Sequence, residues 1–200
     1  MKADAGSLWG LSKRDQLLDT AWRLFYRDGY HATGIDRILA EADVAKMTLY
    51  KHFRSKEELI LAVLKNRSDL FQESFSRFLQ AKKRTPEQRL VAVFDWLIGW
   101  VSSKEFRGCS FQKAMAEYQD LRDPIHQAAL AHKATFYGEI RRLVAEAGLG
   151  NPKSLSDQLA LLVEGTIVRA HATGSPAPAV HAKDAAYAMI RSARGSKAGK

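Results

Sequence analysis

Apolar residues recur along this chain at spacings of three and four, and no two-residue alternation persists, so the pattern predicts helices and no sheet. Leu17, Ala21, Leu24 and Phe25 form one inward stripe over Lys13 to Asp28, with Gly29 placed to end that helix. Ile35, Ile38, Leu39 and Ala42 form a second, shorter stripe, and Val44, Leu49 and Phe53 supply the inward positions of a third helix beginning near Lys46. A fourth is expected from just after Ser55 to about Ala81, carrying Leu59, Val63 and Leu64 and then Phe71, Phe75 and Phe78. Leu90, Phe94, Leu97, Ile98 and Val101 define a fifth, apolar around most of its circumference because Trp96 and Trp100 fall on another side. A short helix lies within Phe106 to Leu121, and a long one opens at Pro124 and closes at Gly148. Another runs from Asn151-Pro152 to Gly174, and the last from about Val180 to Ala193. The fold class is all-α, with about nine helices and no internal repeat.

Helix starts are marked as well. Thr33-Gly34-Ile35-Asp36 and Ser55-Lys56-Glu57-Glu58 both read as capping boxes, and Thr85-Pro86-Glu87-Gln88 offers an N-cap, a proline at the first helical position and a capping glutamine. If Leu49 and Phe53 point inward at i and i+4, Lys46, Met47, Tyr50 and Lys51 must point out, flanked by Thr48 and His52. From Val44 to Lys56 there are four basic residues, Lys46, Lys51, Arg54 and Lys56, and no acidic one. Such a face suits a phosphate surface. The alternative is a solvated basic face on a small helical bundle. Lys56 falls in a first helical turn, where the macrodipole disfavours a cation and a bound phosphate would relieve the penalty.

These residues resemble the DNA-binding domain of the tetracycline-repressor (TetR) family. The resemblance covers roughly the first third of the chain: Ala21, Leu24-Phe25, Gly29-Tyr30, Thr33, Ile35, Ile38, Ala42, Val44, Lys46, Thr48-Leu49-Tyr50, His52-Phe53 and Ser55-Lys56-Glu57-Glu58-Leu59. It implies a helix-turn-helix whose Lys46, Thr48, Tyr50, His52 and Lys56 meet operator phosphates or bases; Thr33 is a further expected DNA contact. Lys51, on the same face, is a candidate base reader. Two positions depart from the family pattern. The turn glycine is Asp43, which tolerates a left-handed conformation better than most residues. The small residue after Lys46 is Met47, which should alter sequence preference rather than abolish binding.

Composition refines this picture in a few places. The 200 residues are 46% hydrophobic and carry a net charge of +9, yet residues 1–58 hold ten basic side chains against nine acidic ones. The total charge is therefore weak support for nucleic-acid binding, and the acid-free third helix is the informative part. A single cysteine, Cys109, excludes an intrachain disulfide and fits a reducing compartment. No apolar run approaches bilayer length and the start lacks a signal-like apolar stretch, so a cytoplasmic protein without membrane contact is expected.

No phosphate-binding glycine loop, HExxH, GxSxG or CxxC is present, and no enzyme, cofactor or metal site is expected. The competing reading is a thiol enzyme using Cys109 with His126 or His132, or a metal or redox sensor built from Cys109, Glu117 and a histidine, with the N-terminal helices as a targeting module. The main reading is a ligand-responsive homodimeric transcriptional regulator, expected to repress, that binds a palindromic double-stranded DNA operator. Its organisation would be a helix-turn-helix domain over 1–58, an effector-binding and dimerisation domain over 59–194 and a disordered basic tail over 195–200. A largely apolar small-molecule effector would be lined by Phe75, Phe78, Trp96, Trp100, Phe111, Tyr118 and Phe136. Cys109, Glu117 and His132 would be the polar groups nearby; close packing of the aromatic residues without a cavity is the alternative. Leu155, Leu159, Leu162, Thr166, Ile167, Ala186, Met189 and Ile190 are the expected dimer interface, a four-helix contact with the two-fold mates, on the argument that each of the last two helices carries more apolar surface than one covering helix can bury.

Overall fold

The computed structural model describes residues 12–81 and 83–195, and within them the chain forms nine helices and no strand. These are α1 (Lys13–Asp28), α2 (Ile35–Ala42), α3 (Lys46–His52), α4 (Lys56–Gln80), α5 (Pro86–Val101), α6 (Ser110–Glu117), α7 (Pro124–Glu146), α8 (Pro152–Thr173) and α9 (Ala177–Gly195). The residues before Ser12, and all of the tail expected over 195–200 except Gly195, which falls in α9, lie outside the described residues.

Local chemistry sets most of the ends. Ser12 Oγ accepts the Asp15 N–H at 3.2 Å to start α1. Thr85 and Gln88 form the expected reciprocal capping box at α5, with backbone-to-side-chain bonds of 3.2 and 2.9 Å. At α4, Ser55 Oγ accepts the Glu58 N–H at 3.2 Å, while the Glu58 carboxylate reaches one residue further back, to the Arg54 N–H at 2.7 Å. The box expected at Thr33 does not form: the N-cap of α2 is Gly34, one residue later and without a side-chain bond, and the Thr33 hydroxyl donates to the Gly29 carbonyl at 2.7 Å. Asp43 adopts the left-handed conformation that ends α2 (φ 51, ψ 53). Helix α9 begins earlier than Val180, since Pro178 occupies a first-turn position where its missing N–H costs nothing and Ser175 Oγ accepts the Ala177 N–H.

The chain divides into two compact units. One holds α1 to α3, α4 as far as Leu70, and Cys109–His132, which carries α6 and the first part of α7. Its core is Leu17, Ala21, Leu24, Phe25, Tyr30, Ile38, Leu49, Phe53, Leu59 and Ile60, all buried. A ladder of cations and rings crosses it: the Arg67 guanidinium lies over Trp22, Trp22 stacks on Tyr26, and the Lys113 ammonium sits 5.2 Å from the Tyr26 ring.

The other unit comprises Phe71–Gly108 and the chain from Lys133 onward. Here α9 packs on α8 and α5. Ala179, Ala182 and Ala186 are its buried small residues and permit the close approach, whereas Gly165 and Ala185 point outward. Lys133, nearly fully buried, is neutralised by Glu164 at 2.7 Å. Among the described residues no helix is long and apolar enough to cross a membrane.

Candidate nucleic-acid interface

Helix α3 is held by its apolar positions. Leu49 and Phe53 are buried and Val44, at the end of the preceding turn, is nearly so, which fixes the helix's rotation against α1 and α2. The same rotation presents Met47, 81% exposed, and Tyr50, 44% exposed, to solvent, together with Lys46, Lys51 and His52; Thr48 is half-buried. A methionine left that open on a seven-residue helix contributes nothing to the core of its own unit. Lys46 makes one long, exposed ion pair, 3.5 Å to Asp36, a contact that costs little to exchange for a phosphate.

Lys56 stands in the first turn of α4 and donates to the His31 carbonyl at 3.3 Å. Partial burial lowers its pKa from the usual lysine value, and Glu57 and Glu117 oppose that shift. Thr33 needs correction as a contact residue: it is fully buried and its hydroxyl is committed to Gly29, so the side chain shapes the turn instead of facing a ligand.

The N-terminal part of the chain, residues 17–63, matches the family model of bacterial regulatory proteins of the tetR family, and residues 86–186 match the tetracyclin repressor-like C-terminal domain. The chain belongs to the TetR family. It is therefore a ligand-responsive, dimeric, DNA-binding transcriptional regulator. It is similar to the HTH-type transcriptional regulator YjdC of Escherichia coli, 25% identical over 182 residues that cover 91% of this chain and 95% of that protein. A solved TetR-family regulator from Streptomyces coelicolor superposes with a TM-score of 0.85 at 32% identity, covering 90% of this chain and 95% of the other. The transcriptional activator FasR of Mycolicibacterium smegmatis is 44% identical over 91 residues, 42% of this chain and 40% of that protein.

The residues expected around an effector divide between the two units. Phe75, Trp96, Trp100 and Phe136 belong to one, where they join Phe71 and Phe106 in a run of rings with centroids 5.0 to 5.7 Å apart. Phe78 instead lies under the Arg84 guanidinium. Cys109, Phe111, Glu117, Tyr118 and His132 belong to the other unit. There the His132 ring stacks on Phe111 at 3.5 Å and its Nδ1 is 2.9 Å from Ser68 Oγ. Cys109 is buried at the N-cap of α6. The expectation for Glu117 is overturned: its carboxylate accepts the backbone N–H groups of Tyr30 and His31, at 2.9 and 2.6 Å, and is committed to that turn rather than to a ligand. Among the described residues no three His, Cys, Asp or Glu side chains are placed to hold a metal ion.

The expected dimer residues also need correction. Leu155, Leu159, Thr166, Ile167, Ala186 and Ile190 are buried within the single chain, and Leu162 and Met189 are partly so. The uncovered face of α8 lies elsewhere, at Leu161 (71% exposed), Gly165, Val168 (56% exposed) and Ala172, spaced i, i+4, i+7 and i+11. On α9, Val180 and Tyr187 are the exposed apolar residues.

Proposed function

We propose that two copies of the chain pair through the Leu161–Val168 face of α8 and the Val180–Tyr187 face of α9, and lay their α3 helices in successive major grooves of a palindromic operator. On this reading Met47 and Lys51 read base edges, while Lys46, Thr48, Tyr50, His52 and Lys56 meet phosphates or bases. The supporting observation is the open, acid-free outer face of α3, with Met47 as its most exposed apolar side chain. One short helix touches few base pairs, and two-fold duplication supplies the missing affinity. Occupation of a promoter by such a dimer represses by exclusion, and the site of action is the cytoplasm, where operator DNA is reached and a lone thiol stays reduced.

The effector reading rests on the ring cluster of Phe71, Phe75, Trp96, Trp100, Phe106 and Phe136. A largely apolar small molecule entering it displaces ring-to-ring contacts and favours one arrangement of that unit; only a difference in its affinity for the two arrangements moves the DNA equilibrium. Trp96 and Trp100 report an occupant through their fluorescence. Selection of bound duplexes from a random pool tests the main reading: enrichment of a palindrome with half-site centres about 34–36 Å apart is expected. Enrichment of no palindrome overturns it.

A further inference from the structure

Helix α6 lies outside the helix-turn-helix in sequence, yet it belongs to the same compact unit and is bonded to it at several points. Lys113 Nζ donates to the Tyr26 carbonyl at 2.8 Å, and the Tyr30 hydroxyl donates to the Ser110 carbonyl at 3.1 Å. At the end of α6, Glu117 meets the turn between α1 and α2. Oε1 accepts the Tyr30 N–H at 2.9 Å, Oε2 accepts the His31 N–H at 2.6 Å, and the His31 Nε2 lies 2.9 Å from the Glu117 carbonyl.

The turn's other polar groups lead into the reading surface. The Gly29 carbonyl accepts the Thr33 hydroxyl just ahead of α2, and the His31 carbonyl accepts the Lys56 ammonium at the start of α4. Tyr30 and His31 follow the end of α1 and precede α2, so neither N–H belongs to a helical ladder. Tyr30 is fully buried and its N–H requires a protein acceptor. A carboxylate supplies two oxygens, one for each N–H. Gln offers one oxygen and one NH2, and Asp is a methylene short.

We infer that Glu117 is a positioning residue for DNA reading: by gripping the Tyr30 and His31 amides it fixes the turn from which Thr33 and Lys56 take their places. The inference rests on the DNA-binding reading above and adds to it a residue far from the helix-turn-helix in sequence. A charge-assisted pair of hydrogen bonds of this kind, once lost, lowers operator affinity about tenfold.

The test uses the full chain, with Glu117→Ala, Glu117→Gln and Lys56→Ala variants and the Glu117→Ala/Lys56→Ala double variant. Backbone amide exchange at Tyr30 and His31 is measured without DNA, and affinity is measured on the duplex that the parent selects. Faster exchange at both amides, a loss of about tenfold for Ala, a smaller loss for Gln, and a double variant weakened by less than the product of the two single losses are expected. Unchanged exchange shows that Glu117 does not hold the turn and overturns the inference. Affinity within about twofold of the parent in a folded Ala variant, or losses that multiply in full, also overturns it. Should the Ala variant not fold, the Gln variant is judged by the same criteria, alone and paired with Lys56→Ala. A parent chain that selects no duplex defeats the DNA reading, and this inference with it; the exchange measurement distinguishes that outcome, because it reads the turn alone.

Discussion

Glu117 and His31 are joined through both backbone and side chain: the Glu117 carboxylate accepts the His31 N–H, and the Glu117 carbonyl faces the His31 ring nitrogen at 2.9 Å. The pair is 86 residues apart in sequence. It brings a carboxylate against Gly29, where the backbone has φ 99 and ψ 163, a conformation essentially restricted to glycine.

Gly29→Ala tests that junction from the other side. A Cβ at Gly29 would stand 3.0 Å from Glu117 Oε1, in a backbone conformation that L-residues avoid. The variant should lose about 1–3 kcal/mol of unfolding free energy, read from the urea midpoint. A midpoint equal to that of the parent would mean that the turn relaxes freely.

Charge on the open face of α8 should separate the dimer, while charge on its buried face should unfold the chain. Leu161→Glu or Val168→Glu should give a folded monomer by analytical ultracentrifugation with helical content intact. Leu159→Glu puts a carboxylate into a 1%-exposed site and should cost on the order of 4 kcal/mol or more. A stable dimer from Leu161→Glu would place the pairing surface elsewhere.

Helix α8 also shows where sequence reading stops. Both of its sides are apolar: Leu155, Leu159, Val163, Ile167 and Ala170 face inward and Leu161 and Val168 outward. Periodicity finds an apolar stripe but cannot say whether it is covered by the chain's own helices or by a second copy. The start of α3 and the Thr85 capping box were legible because spacing and capping act within a few residues. Glu117 was not, since the amides it serves are fixed by a fold that brings distant segments together. Thr33 differs for a local reason: a hydroxyl three residues before an acidic side chain suits a cap, but α2 takes its N-cap at Gly34, and the Thr33 hydroxyl donates to the Gly29 carbonyl.

Alkaline titration should draw on two tyrosines, Tyr118 and the more deeply buried Tyr30, whose pKa is raised further. Burial, with help from Glu57, Glu117 and Asp123, raises the Tyr118 pKa from 10.0 to about 12. A group whose pKa is raised on folding contributes its stabilisation in full below the unfolded value and loses it as pH climbs through the folded value. Stability should therefore decline from about pH 10 upward, and Tyr118→Phe should lessen the part lost between about pH 10 and 12, leaving the share of Tyr30. An unchanged alkaline profile in Tyr118→Phe would assign the loss to other groups.

Variants of α3 should separate by role. Tyr50→Ala and Lys56→Ala should weaken binding to every duplex, and loss of the Lys56 charge should reduce the salt slope by about 1. Met47→Ala and Lys51→Ala should change which bases are preferred, by about 1–3 kcal/mol at the affected position. Equal losses on all sequences from Met47 and Lys51 variants would make these residues phosphate or packing contacts.

Hydroxyl-radical footprinting on the selected duplex tests the central claim most directly, because it shows where the protein lies on each strand. Two protected patches, related by the palindrome's two-fold axis and lying about 10 base pairs apart centre to centre, are the expected result for paired α3 helices in successive major grooves. A single protected patch, or uniform protection that does not follow the palindrome, would contradict it.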